Sequence, residues 1–218
     1  MQDYNLISFP RSGQHLTERL LETVCKYFNQ PYSYCEFYSC CNKNPCIKKS
    51  RFMKNHDFGF ELKINQNNKY IALYRSNFIH QLESYFRINF PNDKTFNYLD
   101  DHLLYSNLLE FIKIKIPLRN EFIKKWINND NENILKINYD EIIKNPHDYL
   151  KKILMFMEIN HSNEDILNIL SSFEQIKYLN HLPQKLVDKI MHDLNNKPIL
   201  QKGRFSKNTW NLFKNQIK

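Results

Sequence analysis

The sequence predicts an α/β fold, a three-layer α/β/α arrangement around a central parallel sheet, and three observations carry that expectation. Short apolar runs recur at "LISF" (6–9), "RFMKNHDF" (51–58, a strand ending near His56), "KYIALYR" (69–75) and "NILKINY" (133–139), each of strand length. Helical spacing fills most of the chain between them, so successive strands need crossover connections and run parallel. The first run passes Pro10 and Gly13 and enters a helical pattern at Leu16, Leu20, Leu21 and Val24, which reads as strand, tight loop, helix.

In chain order, the first helix is expected over about 15–30. Residues 31–50 are polar and rich in Cys and Tyr, with Pro31 and Pro45 and no periodicity, which predicts a long structured loop. Helical spacing resumes at Phe78, Leu82, Tyr85 and Phe86 after the 69–75 strand. From 94 to 129 helices are expected, broken before Pro117. Beyond the 133–139 strand, Ile142, Ile143, Tyr149, Leu150, Ile153, Leu154 and Met157 predict one long amphipathic helix with Lys144, Lys151 and Lys152 outside. Two shorter helices, about 163–172 and 184–195, precede a basic tail. No internal repeat or low-complexity linker interrupts this order, and the expectation is one domain over 1–218.

Composition sets the remaining bounds. With 218 residues, 42% hydrophobic and 14% aromatic, the chain can bury its own core, which excludes a disordered polypeptide. A formal charge of +8 favours an anionic partner. No basic segment leads into an apolar stretch at the N-terminus, and no run is long enough to span a bilayer, so a cytoplasmic protein without a membrane span is expected. Four of the five cysteines fall in "CEFYSCCNKNPC" (Cys35, Cys40, Cys41, Cys46). Their spacing does not repeat paired CxxC ligands, so reduced thiols in a substrate-side loop are expected and no metal is implied, with metal or disulfide as the alternative.

The loop "PRSGQH" is the candidate site. A helix N-terminus offers unpaired N–H groups and the positive end of the dipole, so Arg11, Ser12, Gly13 and Gln14 form a cradle for phosphate or sulfate. His56 and Arg75 end two further strands, and in parallel sheets ligands bind outside the carboxyl ends, so three stretches converge on one crevice. Plainer roles exist for each residue. Arg11 could neutralise Glu18, His56 could lie at the surface, Arg75 could only terminate a strand, and Tyr139 could be a core residue. The nucleoside-triphosphatase loop GxxxxGK[ST] fails here, because there is one Gly and no Lys-Ser/Thr pair.

"FPRSGQHL" instead resembles the 5′-phosphosulfate loop of sulfotransferases that use 3′-phosphoadenosine 5′-phosphosulfate (PAPS), with Arg in the basic place. Further resemblances follow in that family's order. "KNHDF" is similar to its Lys-x-His segment, "YIALYRSNFIHQLESYFR" to its 3′-phosphate segment, "ILKINYDEIIKNPHDYLKKILMFMEI" to its Tyr-Glu-Asp-Leu segment, and "QKGRFSKNTW" to its C-terminal Arg-Lys-Gly loop. Ser84 stands one residue further from Arg75 than the family's spacing, and Gln201 replaces the first basic residue of the tail loop.

The resemblance implies sulfuryl transfer from PAPS, with PAP as product, to a hydroxyl or amine of a glycan, glycolipid or small molecule. It implies that Arg11, Ser12, Gly13, Gln14 and His15 hold the 5′-phosphosulfate, with Arg11 offsetting charge on the leaving oxygen. Lys54 would touch the transferring group and His56 would take the acceptor's proton. Arg75, Ser84, Lys202, Gly203 and Arg204 would recognise the 3′-phosphate, and Tyr139 would lie near the nucleotide. Segments 31–50 and 94–129 would shape the acceptor pocket. Two alternatives stand beside it: a nucleotide or small-molecule kinase with Asp140 as a Walker-B-like acid and Mg²⁺, and a basic nucleic-acid-binding module in which Arg75 and the lysines track phosphates.

Overall fold

A computed structural model describes residues 3–40, 46–89, 98, 101–173 and 182–196. In chain order the elements are β1 (Tyr4–Ser8), α1 (Gln14–Tyr27), β2 (Tyr34–Glu36), α2 (Phe37–Cys40), β3 (Phe52–Asn55), β4 (Lys69–Tyr74), α3 (Phe78–Asn89) and α4 (His102–Phe122). A π-helical turn (Ile123–Ile127) leads to β5 (Ile134–Asn138), α5 (Tyr139–Lys144), α6 (Pro146–Phe156), α7 (Asn163–Ser172) and α8 (Gln184–Asn196). The described residues fall into two compact units. One draws on segments within Met1–Asp57, Leu62–Ser76 and Ile123–Tyr178, the other on segments within Phe58–Glu61, Asn77–Phe122 and Leu179–Lys218.

The first unit holds a five-stranded sheet in the order β2-β3-β1-β4-β5, with every pair parallel. Side chains alternate across it. On one face Tyr4, Leu6, Phe52, Ile71, Leu73 and Ile137 form one core with Leu16, Leu20, Leu21 and Val24 of α1, Leu150, Ile153 and Leu154 of α6, and Ile166 and Ile169 of α7. Each fully buried leucine there contributes about 1.5–3 kcal/mol. From the other face Tyr70 meets Trp126 of the π-helical turn, with ring centroids 5.3 Å apart. Tyr70, Ile71, Ala72 and Leu73 are all fully buried, which is why β4 reads as an unbroken apolar run.

Three local expectations are corrected. Residues 31–50 are not all loop: β2 and α2 occupy part of the segment. A three-residue strand has no period of its own to read, and β2 exists through its ladder to β3, where Tyr34, Cys35 and Glu36 face Phe52, Met53 and Lys54. The long helix after β5 is two, because Asn145 accepts a hydrogen bond from the Asp148 amide and Pro146 opens α6. That is an N-cap followed by a proline whose missing N–H costs nothing at the first turn. Pro117 does not break a helix, since α4 runs through it. The proline is exposed, and burial of Leu104, Tyr105, Leu108, Leu109, Phe111, Ile112 and Phe122 outweighs the backbone bond it cannot make.

In the second unit α3 packs on α4 and α4 on α8. Phe111 meets Tyr85 and Phe86 edge to face, and the Tyr105 hydroxyl donates to Asp193 at 2.8 Å. None of the described helices is long and apolar enough to cross a membrane. Cys41, Lys202, Gly203 and Arg204 lie outside the described residues.

Candidate active site

Parallel strands share one carboxyl edge, where Ser8, Glu36, Asn55, Tyr74 and Asn138 end their strands. β1 is central, so its loop emerges between the end of β3, which continues into His56, and the ends of β4 and β5, which continue into Arg75 and Tyr139. The register pairs Ile7 with Asn55 and Tyr74 with Asn138. The three stretches end at one edge of the sheet, and chain order reverses about β1 as it does at ligand-binding crevices of α/β sheets.

The loop holds two residues in the left-handed region, Arg11 at φ 66° and Gly13 at φ 82°. Gly13 caps α1 without a side-chain hydrogen bond, and no acidic residue occupies the first turn, which keeps the helix terminus electropositive. Glycine is required there for a second reason. A Cβ at this position would lie 2.0 Å from Cδ2 of Tyr139. The Tyr139 ring therefore packs against the loop backbone, and the Arg75 guanidinium lies 4.9 Å from its centroid. Arg75 Nε is 3.3 Å from Asp140 Oδ1, and the Ser76 hydroxyl donates to Asp140 Oδ2 at 2.9 Å. Asn138 Oδ1 accepts from the Asp140 amide at 3.1 Å, which starts α5 and fixes that carboxylate. Tyr139 is thus buried, as the plainer reading allowed, and is also the platform between loop and Arg75.

On the other flank His56 Nδ1 is 2.8 Å from the Ser8 carbonyl and 3.2 Å from the Ser8 hydroxyl. A carbonyl only accepts, so Nδ1 carries the hydrogen and Nε2 holds the lone pair. The Ser8 hydroxyl donates to Gln14 Oε1 at 2.9 Å, and Gln14 Nε2 donates to the Leu6 carbonyl at 3.0 Å. Burial pushes the imidazole pKa down to about 4, against the raising effect of the Ser8 bond, and the nearby Lys54 charge pushes the same way as burial. Lys54 Nζ pairs with Glu36 Oε1 at 2.7 Å. Next to His56, the buried Asp57 carboxylate accepts from the Leu62 amide (2.9 Å), Lys125 Nζ (2.6 Å) and Trp126 Nε1 (2.9 Å).

Arg11 is exposed beside the fully buried Ser12. Gln14 turns its side chain inward to β1, so only its backbone amide is directed to the loop's ligand side by helix geometry. His15 is exposed, with Nδ1 3.4 Å from Glu18. Ser84 sits on α3, in the second unit. Sequence reasoning missed Ser8, Asn138 and Asp57. A serine in a buried strand and an asparagine just ahead of a helix were readable signals for the first two. Asp140, the acid of the kinase alternative, is committed to Arg75 and Ser76.

A strand–loop–helix turn flanked by a histidine and an arginine is the arrangement expected of a sulfuryl- or phosphoryl-transfer site. The profile of the family described as "Sulfotransferase domain" matches residues 2–218, and the chain belongs to that family. Among solved structures, mouse sulfotransferase SULT7A1 complexed with PAP is 18% identical with a TM-score of 0.58, covering 99% of this chain and 82% of that one. Retinol dehydratase in complex with androsterone and inactive cofactor PAP is 15% identical with a TM-score of 0.57, covering 100% and 80%. Both share the fold. No curated protein sequence matches the chain.

Proposed function

We propose that residues 1–218 act as one PAPS-dependent sulfotransferase domain that transfers a sulfuryl group to a hydroxyl or amine acceptor. The observation that carries this reading is the loop of residues 9–14 with Gly13 against Tyr139 and His56 held through Ser8. An open helix N-terminus, exposed Arg11 and nearby Arg75 suit a ligand with two separate anionic groups, which PAPS has and a single phosphate lacks. That both PAP-bound structures share this fold supports the same donor here.

In the transfer, the sulfur–oxygen bond to the donor phosphate breaks as a bond to the acceptor oxygen or nitrogen forms, and PAP leaves with the electron pair. This is an in-line displacement whose demands are alignment and neutralisation of developing charge. Arg11 and the loop amides would offset charge on the leaving oxygen. His56 Nε2 takes the acceptor's proton, because Nδ1–H is already given to Ser8. Lys54 would exchange its Glu36 partner for an oxygen of the transferring group. Arg75, supported by Asp140, would meet the 3′-phosphate.

A hydroxyl on a glycan or glycolipid is the proposed acceptor class, since a chain of +8 charge attracts acidic sugars. Calorimetry with PAP, ATP and AMP, with and without EDTA, tests the donor: PAP should bind most tightly and without Mg²⁺. Tighter binding of Mg-ATP would move the chain to the kinase reading. Screening glycans, glycolipids, phenols and alcohols with labelled PAPS identifies the acceptor, and transfer to small phenols alone would overturn the glycan assignment.

A further inference from the structure

On the sheet face away from α1, three cysteines converge. Cys35 lies on β2, Cys40 ends α2 and Cys46 stands six residues further along the chain. Their sulfur atoms all lie within 4.8 Å of one another. Cys35 and Cys46 are buried at 3% and 5% exposure, and all three are reduced. We propose that this trio is a zinc site that fastens β2 and α2 to the sheet.

Geometry is the first support. Tetrahedral zinc with sulfur at about 2.3 Å requires sulfurs about 3.8 Å apart, so movements of an ångström or less convert the observed cluster into a ligand set. Composition is the second. The small core under this segment consists of Cys35, Cys46 and Met53, with Phe37 and Cys40 packed against it. Among the described residues it holds no leucine, isoleucine or valine. A three-residue strand and a four-residue helix over so little apolar surface need a staple, as small domains generally do. Three thiols, from β2, α2 and Cys46, supply soft ligands that select zinc over calcium or magnesium.

The surroundings match the chemistry. The Ser50 hydroxyl is 3.8 Å from Cys46 Sγ and can reverse its role to donate to a thiolate, as outer-shell partners of metal ligands do. A fourth ligand, a water molecule or a further side chain, would complete the tetrahedron. The purpose is local: Cys35 precedes Glu36, whose carboxylate holds Lys54, so zinc fixes the edge strand that positions that pair.

The test uses the full chain, reduced, stripped with a chelator and titrated with Co²⁺ and then Zn²⁺. One equivalent of Co²⁺ should give a thiolate-to-metal charge-transfer band with tetrahedral d–d bands, and Zn²⁺ should abolish both. Cys35→Ser and Cys46→Ser should weaken zinc binding by more than the roughly 10–100-fold expected for Ser50→Ala as an outer-shell change. Cys25→Ser, whose thiol lies near Arg51, should leave it unchanged. Should the ligand variants fail to fold, alkylation of the wild-type chain gives the answer, because zinc should protect Cys35, Cys40 and Cys46 from iodoacetamide. Absence of the charge-transfer band, absence of protection, or a disulfide among these residues in protein purified without reductant would each overturn the proposal. None of these readouts depends on sulfuryl transfer, so the site stands or falls apart from the proposed activity.

Discussion

His56 Nδ1 lies 2.8 Å from the Ser8 carbonyl, and this contact between neighbouring strand ends decides which imidazole nitrogen is basic. Ser8 is also bonded to Gln14, the first residue of α1, so the loop of residues 9–14 and the proposed base share one hydrogen-bonded frame. A displacement of the loop would be felt at the imidazole.

The free protein should keep His56 neutral down to about pH 4, where an ordinary imidazole would already be charged near 6.5. The unfolded chain then binds the proton first. Stability from this group is complete above about 6.5 and declines as pH falls toward 4. Donor binding adds anionic charge beside the ring and should raise the value, so the acid limb of kcat should lie above that of kcat/KM for the donor. NMR titration of the ring with and without PAP checks both, and a ring titrating at its ordinary value in the free protein would refute the burial argument.

Replacing His56 by Ala should lower kcat by roughly 10²–10⁴-fold while PAP affinity stays nearly unchanged. The proton comes from the acceptor, and the nucleotide need not touch the ring. Near wild-type turnover would return His56 to a purely structural role.

Gly13→Ala should weaken PAP binding and lower Tm. The backbone sits at φ 82°, and the new methyl would meet the Tyr139 ring at 2.0 Å. The left-handed conformation alone costs about 1–2 kcal/mol. In a double-mutant cycle Tyr139→Ala should recover the steric part and leave the conformational part. Strict additivity of the two changes would show that loop and ring are uncoupled.

Arg75→Ala should weaken PAP binding far more than binding of the analogue lacking the 3′-phosphate. Asp140→Asn should produce a smaller loss of the same kind, because it removes the charge that orients the guanidinium. Equal losses on both ligands in calorimetry would make Arg75 a support of the fold.

Asp57→Ala removes a buried carboxylate with three donors and leaves Lys125 and Trp126 Nε1 without it. A destabilisation of about 3–5 kcal/mol is expected from denaturant unfolding. Turnover at a temperature where the variant is folded should also fall, since Asp57 ties the segment after His56 to the π-helical turn.

The frame of strands and the loop at 9–14 were legible because their signals are local: apolar runs, a proline, a glycine, and helical spacing beyond. The ends of β3 and β4 located His56 and Arg75 for the same reason. β2 was not legible, since a three-residue strand takes its existence from β3. The break at Asn145 was legible in principle as a cap before proline, but the apolar spacing on both sides masked it. Ser8, Gln14 and Asp57 act through partners 48, 6 and 68–69 residues away respectively, counting His56, Ser8 and the Lys125–Trp126 pair. Partnerships of that kind arise from folding and leave no mark at a single position.

Arg11 holds a backbone conformation that a glycine would adopt without strain. A chain optimised only for ease of folding would place Gly or Asn there. Arg11→Gly should therefore relax the backbone while weakening the grip on an anion, and the two effects have opposite signs on thermal stability and on turnover. Screening variants for heat resistance alone would then enrich the inactive form at this position, whereas selection on product formation would retain an arginine at a geometrically awkward turn.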